Sequence, residues 1–458
     1  VILSSRAIVV AVFAGVFVAV AWAMILPGER VTVVVPSAVS VPTGEPMLRG
    51  TVLGNSGCLA AACHGGPAVD LLAGRFDENT PRSSGTCWNA ADPHTRAFSL
   101  LTDRPHRPVR VSARRIMEGL HSPIPATEDV RCLACHTNPS SATATDFRSR
   151  ALRSEGVGCE SCHGNAGGWI REHTTWTGDR REVYRRTGMT PLFDLGERAM
   201  TCLGCHVGAS ADPVRQYPVR DMNHDMIAAG HPRLSFDLGE FHRVLPKHWR
   251  EQDRSPGMEA KLWLVGRVAH AEAVCRLLAD RADRAAAADT RTPWPELSEF
   301  DCASCHHDLP QSWRRGETVR GVRAPGSLRG QTVWPVLVAE PIDAFQPLVT
   351  IMRKKRPAGY GEVGPIASES ASKLEEMRQK LVAASDAEVW AFFRSATSRI
   401  TPDPDWDVAG QLMWGLAAFG RAGRINQPTR RFDQAFDALR RRDWDSARPA
   451  LEALLGSP

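Results

Sequence analysis

The sequence predicts a mainly α-helical fold: a loop-rich central domain, an apolar helix before it and a helical region after it. Three observations carry this. Residues 7–27 (AIVVAVFAGVFVAVAWAMILP) hold no charge, and a run of about 20 apolar residues is long enough to cross a bilayer as a helix. All 12 cysteines and all 15 histidines lie between residues 58 and 307, so a ligand-rich middle is followed by a long tail with neither. Residues 258–288, 368–396, 405–422 and 430–455 combine good helix formers with apolar positions at helical spacing.

Taken in order, residues 1–27 read as a transmembrane signal-anchor or a cleaved signal peptide. Arg6 and the terminal amine precede the apolar run, which favours the start of the chain staying inside. Ala21-Trp22-Ala23 would suit a signal peptidase, but the apolar run continues past it, which favours the anchor. Either reading exports the rest of the chain. Residues 28–50, rich in Pro and Val, read as an extended linker. The central domain spans 51–310. Residues 311–366 hold many Pro, Gly and Arg and read as loops that wrap it. Residues 367–458 read as the C-terminal helical region, a cap or docking surface. There Asp386 and Asp405 flank helix starts, and Trp390, Trp406, Trp414 and Trp444 read as core anchors.

The cysteine spacing decides the chemistry. Disulfides are the default in an exported protein, yet four pairs read C-x-x-C-H: Cys132/Cys135/His136, Cys159/Cys162/His163, Cys202/Cys205/His206 and Cys302/Cys305/His306. This is the attachment pattern of c-type haem. Two thiols add to the vinyl groups of one porphyrin, and the following His supplies the proximal nitrogen to the iron. Zinc would not need His directly after every second Cys. A fifth site, Cys58-Leu-Ala-Ala-Ala-Cys63-His64, is two residues longer, and the extra residues can loop out. Gly65-Gly66 then lets the chain leave the crowded haem edge. The expected cofactor is therefore haem c, five per chain and covalently attached. Cys87 and Cys275 are left over as free thiols, a disulfide or a link to a partner.

A low-spin electron carrier needs a second axial ligand at each iron. Ten histidines remain after the five proximal ones, enough for bis-His ligation throughout. The candidates are His94, set by Pro93 at the start of a helix-like run; His173, ten residues after the third motif; His224 and His231, seven apart and on one face if helical; and His121. His307 adjoins a proximal His and cannot reach the far side of its own haem. Arg131 and Arg233 lie near motifs and suit haem propionates.

The formal charge of +5 does not point to nucleic acid. Each bis-His ferric haem with two ionised propionates adds about −1, and no Lys/Arg stripe with interleaved aromatics is present. The expected partners are redox proteins, and the membrane through the N-terminal helix.

The segments GNSGCLAAACHGG, DPHTRAF, CLACH, GVGCESCHG, CLGCHVG and VRDMNHDMIAAGHPRLSF, in this order, resemble the cytochrome c-554 family, and most closely its longer relatives with a fifth haem. The resemblance covers about residues 50–310. It implies a mostly helical, loop-rich fold with haems in close parallel and perpendicular pairs, and electron transfer as the activity. The type member accepts electrons from hydroxylamine oxidation in nitrifying bacteria. The resemblance also implies distal roles for His94 (from DPH), His231 (from GHP) and His173. The longer first site, the fifth motif and the C-terminal extension depart from the family and leave the physiological donor open. One haem of the type member lacks a protein distal ligand, so a redox enzyme acting on nitric oxide or hydroxylamine at a five-coordinate haem is the alternative reading. Against it, no C-x-x-C-K motif occurs, and Tyr184, Tyr217 and Tyr360 stand in no recognisable catalytic setting. Electron transfer on the periplasmic or extracytoplasmic face is the expectation.

Overall fold

The structure, a computed structural model, describes residues 50–67, 82–102, 111–175, 177, 179–232, 234, 236–246, 257–288, 292–300, 342–352, 359–397, 406–423, 429–441 and 443–455. The expected N-terminal helix, nearly all of the linker and the fifth motif lie outside them. Among the described residues no helix is long and apolar enough to cross a membrane.

The motif-bearing part folds as short helices and tight turns, as the density of Gly, Pro and Asp dictates. Its main helices are α1 (Ser84–Ala91), α2 (Val130–His136), α3 (Cys159–His163) and α4 (Leu195–His206). Aspartates start two of them. Asp129 accepts a hydrogen bond from the Arg131 amide at 2.9 Å. Asp194 accepts from the Gly196 and Glu197 amides at 2.8 and 3.1 Å. Such caps each stabilise a helix by about 1 kcal/mol. After α4 a two-stranded antiparallel ribbon forms, β1 (Gly208–Ala209) against β2 (Arg220–Asp221).

The organising element is α5 (Met258–Ala286), roughly 43 Å long at 1.5 Å per residue. Leu264, Val265, Val268 and Ala269 are wholly buried. Buried residues run round α5, so it lies within a core: α6 (Ile342–Met352) packs on α7 (Tyr360–Ala383), which packs on α5 together with α8 (Asp386–Thr397) and α9 (Trp406–Arg421), and α10 (Thr429–Arg440) joins α9 to α11 (Trp444–Leu455). The core runs continuously from α4 through α5 into these helices. Phe393 stacks on Phe419 at 3.9 Å, and Trp263 of α5 meets both edge-on. Gly415 makes this approach feasible, because a Cβ there would lie 2.7 Å from the Trp263 ring.

The C-terminal helices differ from the sequence expectation in their breaks. α6 and the start of α7 fall inside 311–366, the stretch expected to be loops. The expected helix over 368–396 divides into α7 and α8 because Ser385 and Glu388 form a capping box. The Ser385 amide donates to the Glu388 carboxylate at 2.8 Å, and the Glu388 amide donates back to the Ser385 hydroxyl at 3.4 Å. Asp386 is thus the first residue of α8 and Ser385 is the cap. The expected helix over 430–455 divides at Asp443, whose carboxylate accepts from the Ser446 amide at 3.2 Å. Trp390 and Trp414 pack half-buried against the core.

Buried ion pairs fix the register of these layers. Arg378 of α7 meets Glu272 of α5 at 2.7 Å, and both are almost fully buried. Arg267 of α5 meets Asp237 at 3.3 Å. Arg281 and Arg284 of α5 each reach Asp221 of β2 at 2.6 Å, and Arg281 also pairs with Glu299.

Candidate haem-binding site

Three of the C-x-x-C-H motifs lie in described residues, and each closes a helix: α2, α3 and α4 all end on the motif histidine. In a helix, residues three and four apart share a face. The two thiols and the imidazole of each motif therefore project to one side, as a porphyrin bound through two thioethers and one axial nitrogen requires. Gly164 ends α3 with φ +83°, and a Cβ there would lie 2.8 Å from the Gly188 carbonyl oxygen. Below the start of α3, the Cys159 amide donates to the Asn55 side chain at 3.0 Å.

The longer first motif is a looped turn. The Cys63 and Gly65 amides donate to the Ala60 carbonyl at 2.8 and 3.0 Å, and the His64 amide donates to the Cys58 carbonyl at 3.2 Å. The inserted residues are thus closed off and His64 is drawn back to Cys58. Gly65 is required there: a Cβ would collide with the Leu59 carbonyl oxygen.

The motifs approach one another in pairs. The Cys58 and Cys159 thiols lie close enough to shift each other's pKa, Cys58 downward and Cys159 upward, which brings the first motif near the third. Cys135 and Cys205 do the same for the second and fourth. That contact, with Arg220 beside it, draws the Cys205 thiol down to about 6 despite burial. Burial raises Cys132 and Cys202 to about 11.

The histidine rings carry the clearest geometry. His64 faces His173 with centroids 6.3 Å apart and planes 17° from parallel. His206 faces His94 at 6.2 Å and 85°. His136 faces His231 at 6.4 Å and 85°. Each pair joins a motif histidine to one far away in sequence. Two imidazoles sharing one iron place each nitrogen about 2 Å from it with the ring centre about 1.1 Å behind, so the centres fall roughly 6.3 Å apart. All three pairs leave that space.

The outer nitrogens are held as axial ligands require. The Nδ1 of His136 bonds the Ala97 carbonyl at 2.9 Å, that of His173 the Ile170 carbonyl at 2.6 Å, and that of His231 the Pro232 carbonyl at 2.9 Å. His64 Nδ1 meets the Ser84 hydroxyl at 2.9 Å and His94 Nδ1 the Asp92 carboxylate at 2.8 Å. Nδ1 is thereby occupied in these five rings, which makes Nε2 the nitrogen for a metal. Burial, and then the facing ring, lowers the pKa of His64, and takes His206 to about 4. His136 is lowered by burial against the opposing hydrogen bond to Ala97, with His231 adding to the fall. All three motif rings are held neutral, with the lone pair a metal needs. Burial also pulls His94 down, but the Asp92 hydrogen bond and charge outweigh it and raise His94.

Among the remaining candidates, His163 closes α3, and its carbonyl accepts from the Thr190 amide at 2.9 Å. The His224 amide donates to Glu296 at 2.8 Å, in the turn that leads into the fifth motif; Cys302, Cys305 and His306 lie outside the described residues. His121 is exposed, at φ +50° just past the short helix Ala113–Gly119, and no other ring meets it among the described residues. His242 Nε2 meets Arg198 at 2.7 Å. Arg131, expected to serve a propionate, grips Asp129 at 2.6 Å; the side chain of Arg233 is outside the described residues. Cys87 and Cys275 are buried free thiols.

Several contributors carry no sequence signal. The carbonyls of Ala97, Ile170 and Pro232 act through backbone alone. Trp169 stands edge-on to His173 at 5.3 Å, and Phe236 and Phe241 flank His206 at 5.6 and 5.1 Å. Only Asp92 announces itself, as the residue two before a candidate ligand and followed by Pro.

No curated protein and no solved structure matches the chain. Residues 86–164, from α1 to the end of the third motif, match the family model described as cytochrome c554 and c-prime, so this stretch of the chain is a domain similar to that family of haem-carrying electron-transfer proteins.

Proposed function

We propose that the chain is an extracytoplasmic electron carrier holding five covalent haems, one at each motif, and passing electrons between redox partner proteins. The observation that carries this reading is the set of three histidine pairs 6.2–6.4 Å apart. Each has the opening of a six-coordinate iron and no room for a substrate between the rings. Bound haem supplies one-electron redox chemistry at each iron. The chain does the rest. Cys132/Cys135, Cys159/Cys162, Cys202/Cys205, Cys302/Cys305 and Cys58/Cys63 anchor the group, and His136, His163, His206, His306 and His64 hold it on one side. His173, His94 and His231 close three of the irons from the other side, and His224 is a candidate ligand for a further one. The contacts Cys58–Cys159 and Cys135–Cys205 bring motifs together, as a relay between haems requires. The apolar residues 7–27 anchor the protein in the cytoplasmic membrane.

The pyridine haemochrome assay of protein matured with its haem, divided by chain concentration, tests the count. Five haems per chain are expected. Four would remove the first or the fifth motif from the proposal, and fewer than three would overturn it.

A further inference from the structure

The three ring pairs differ in what holds their outer nitrogens. His136, His173 and His231 each use a backbone carbonyl, and His64 uses the Ser84 hydroxyl. His94 is served by a carboxylate. Asp92 Oδ1 accepts both the His94 amide at 2.9 Å and the ring Nδ1–H at 2.8 Å. Asp92 is only 2% exposed, and its ion-pair partner among the described residues is His94. Pro93 at the first position of the 3-10 turn, with Asp92 as its cap, fixes the carboxylate and the ring relative to each other.

We propose that Asp92 is a positioning residue that tunes the His94/His206 site, making it the lowest in reduction potential of the three paired sites. This rests on the reading that the two rings flank one haem. A carboxylate draws the Nδ1 proton more strongly than a carbonyl or a hydroxyl does, so electron density on Nε2 rises. A more basic ligand stabilises the ferric iron, with its extra positive charge, over the ferrous one. Burial keeps the carboxylate charge from being screened. One electron enters the iron on reduction; no bond is made or broken, and the Nδ1 proton stays on His94.

The pairs are distinguishable by ring orientation. Perpendicular imidazole planes give a low-spin ferric EPR signal with a raised largest g-value, and near-parallel planes give an ordinary rhombic signal. A dithionite titration of the haem-loaded protein, followed by EPR, therefore reads the sites separately. Asp92→Asn is expected to raise the midpoint of one perpendicular-type signal by about 59 mV, a tenfold shift in its redox equilibrium, and to leave the others in place. Ser84→Asp gives His64 the same kind of partner and is expected to lower the midpoint of the rhombic signal. Unmoved midpoints in both variants, with full haem content, would overturn the proposal. Should Asp92→Asn fail to load haem, Ser84→Asp alone decides: an unmoved rhombic midpoint overturns it. His94→Ala separates this from the underlying reading. Loss of one perpendicular-type signal with gain of a high-spin one supports His94 as a ligand; unchanged low-spin signals would overturn that reading and the proposal with it.

Discussion

At the scale of single residues, buried charge sets how the protein answers acid. Burial raises the Asp221 carboxyl, but Arg281 and Arg284 outweigh it and hold the group below its ordinary value. A depressed carboxyl contributes stability that is fully present above the unfolded-chain value of about 3.9 and is lost as pH falls through the folded value. Asp221→Asn is therefore expected to be less stable at neutral pH, with the deficit shrinking between about pH 5 and pH 2. Urea midpoints of both proteins across that range check this, and two parallel curves would contradict it. Burial pushes the neighbouring Glu299 upward and the Asp221 charge adds to that, so Asp221→Asn also eases Glu299, a change opposite in direction to the loss at Asp221. The attachment residues were legible at this scale because thioether chemistry fixes their spacing. The outer partners of the histidines were not. Ala97, Ile170 and Pro232 act through carbonyls that any residue provides.

At the scale of elements, α5 is where sequence reading served best and where its limit shows. The helix expected over 258–288 spans Met258–Ala286, since long Ala-rich apolar periodicity is an unambiguous signal. Its neighbours were not legible. Nothing local in Glu272 says that it will be wholly buried against Arg378 of α7. Removing one partner of a buried pair leaves the other uncompensated, which costs about 3–5 kcal/mol. Glu272→Ala is expected to destabilise the protein by about that much, read as a lower denaturant midpoint with haem content unchanged. A loss under about 1 kcal/mol, the range of exposed pairs, would contradict the account. The breaks at Ser385 and Asp443 were missed for a different reason. Continuous apolar periodicity masks a cap whose residues also suit a helix interior, and only the hydrogen bonds reveal the new start.

For the molecule as a whole, the C-terminal helices are part of the core that holds α4. Leu203 of α4, Trp263 of α5 and Phe419 of α9 belong to one buried cluster. α4 ends on His206, so the helical region positions the fourth motif through α5. A cut near residue 366 would sever α7 and uncover α5. The sequence showed a region without ligands but not that it shares a core with the region that has them, because shared burial is long-range. The same holds for the histidine pairs. His94, His173 and His231 stand out in the sequence, but their facing rings are set by how α2, α4 and the turns pack.

Low-temperature EPR of the fully oxidised, haem-loaded protein tests the central claim, that these three pairs each share an iron. The pairs at 85° (His94/His206 and His136/His231) and the pair at 17° (His64/His173) predict both kinds of low-spin signal. Two perpendicular-type signals should accompany a rhombic one that His173→Ala converts to high spin. A spectrum that lacks either kind, or a rhombic signal unchanged in His173→Ala, would contradict the account.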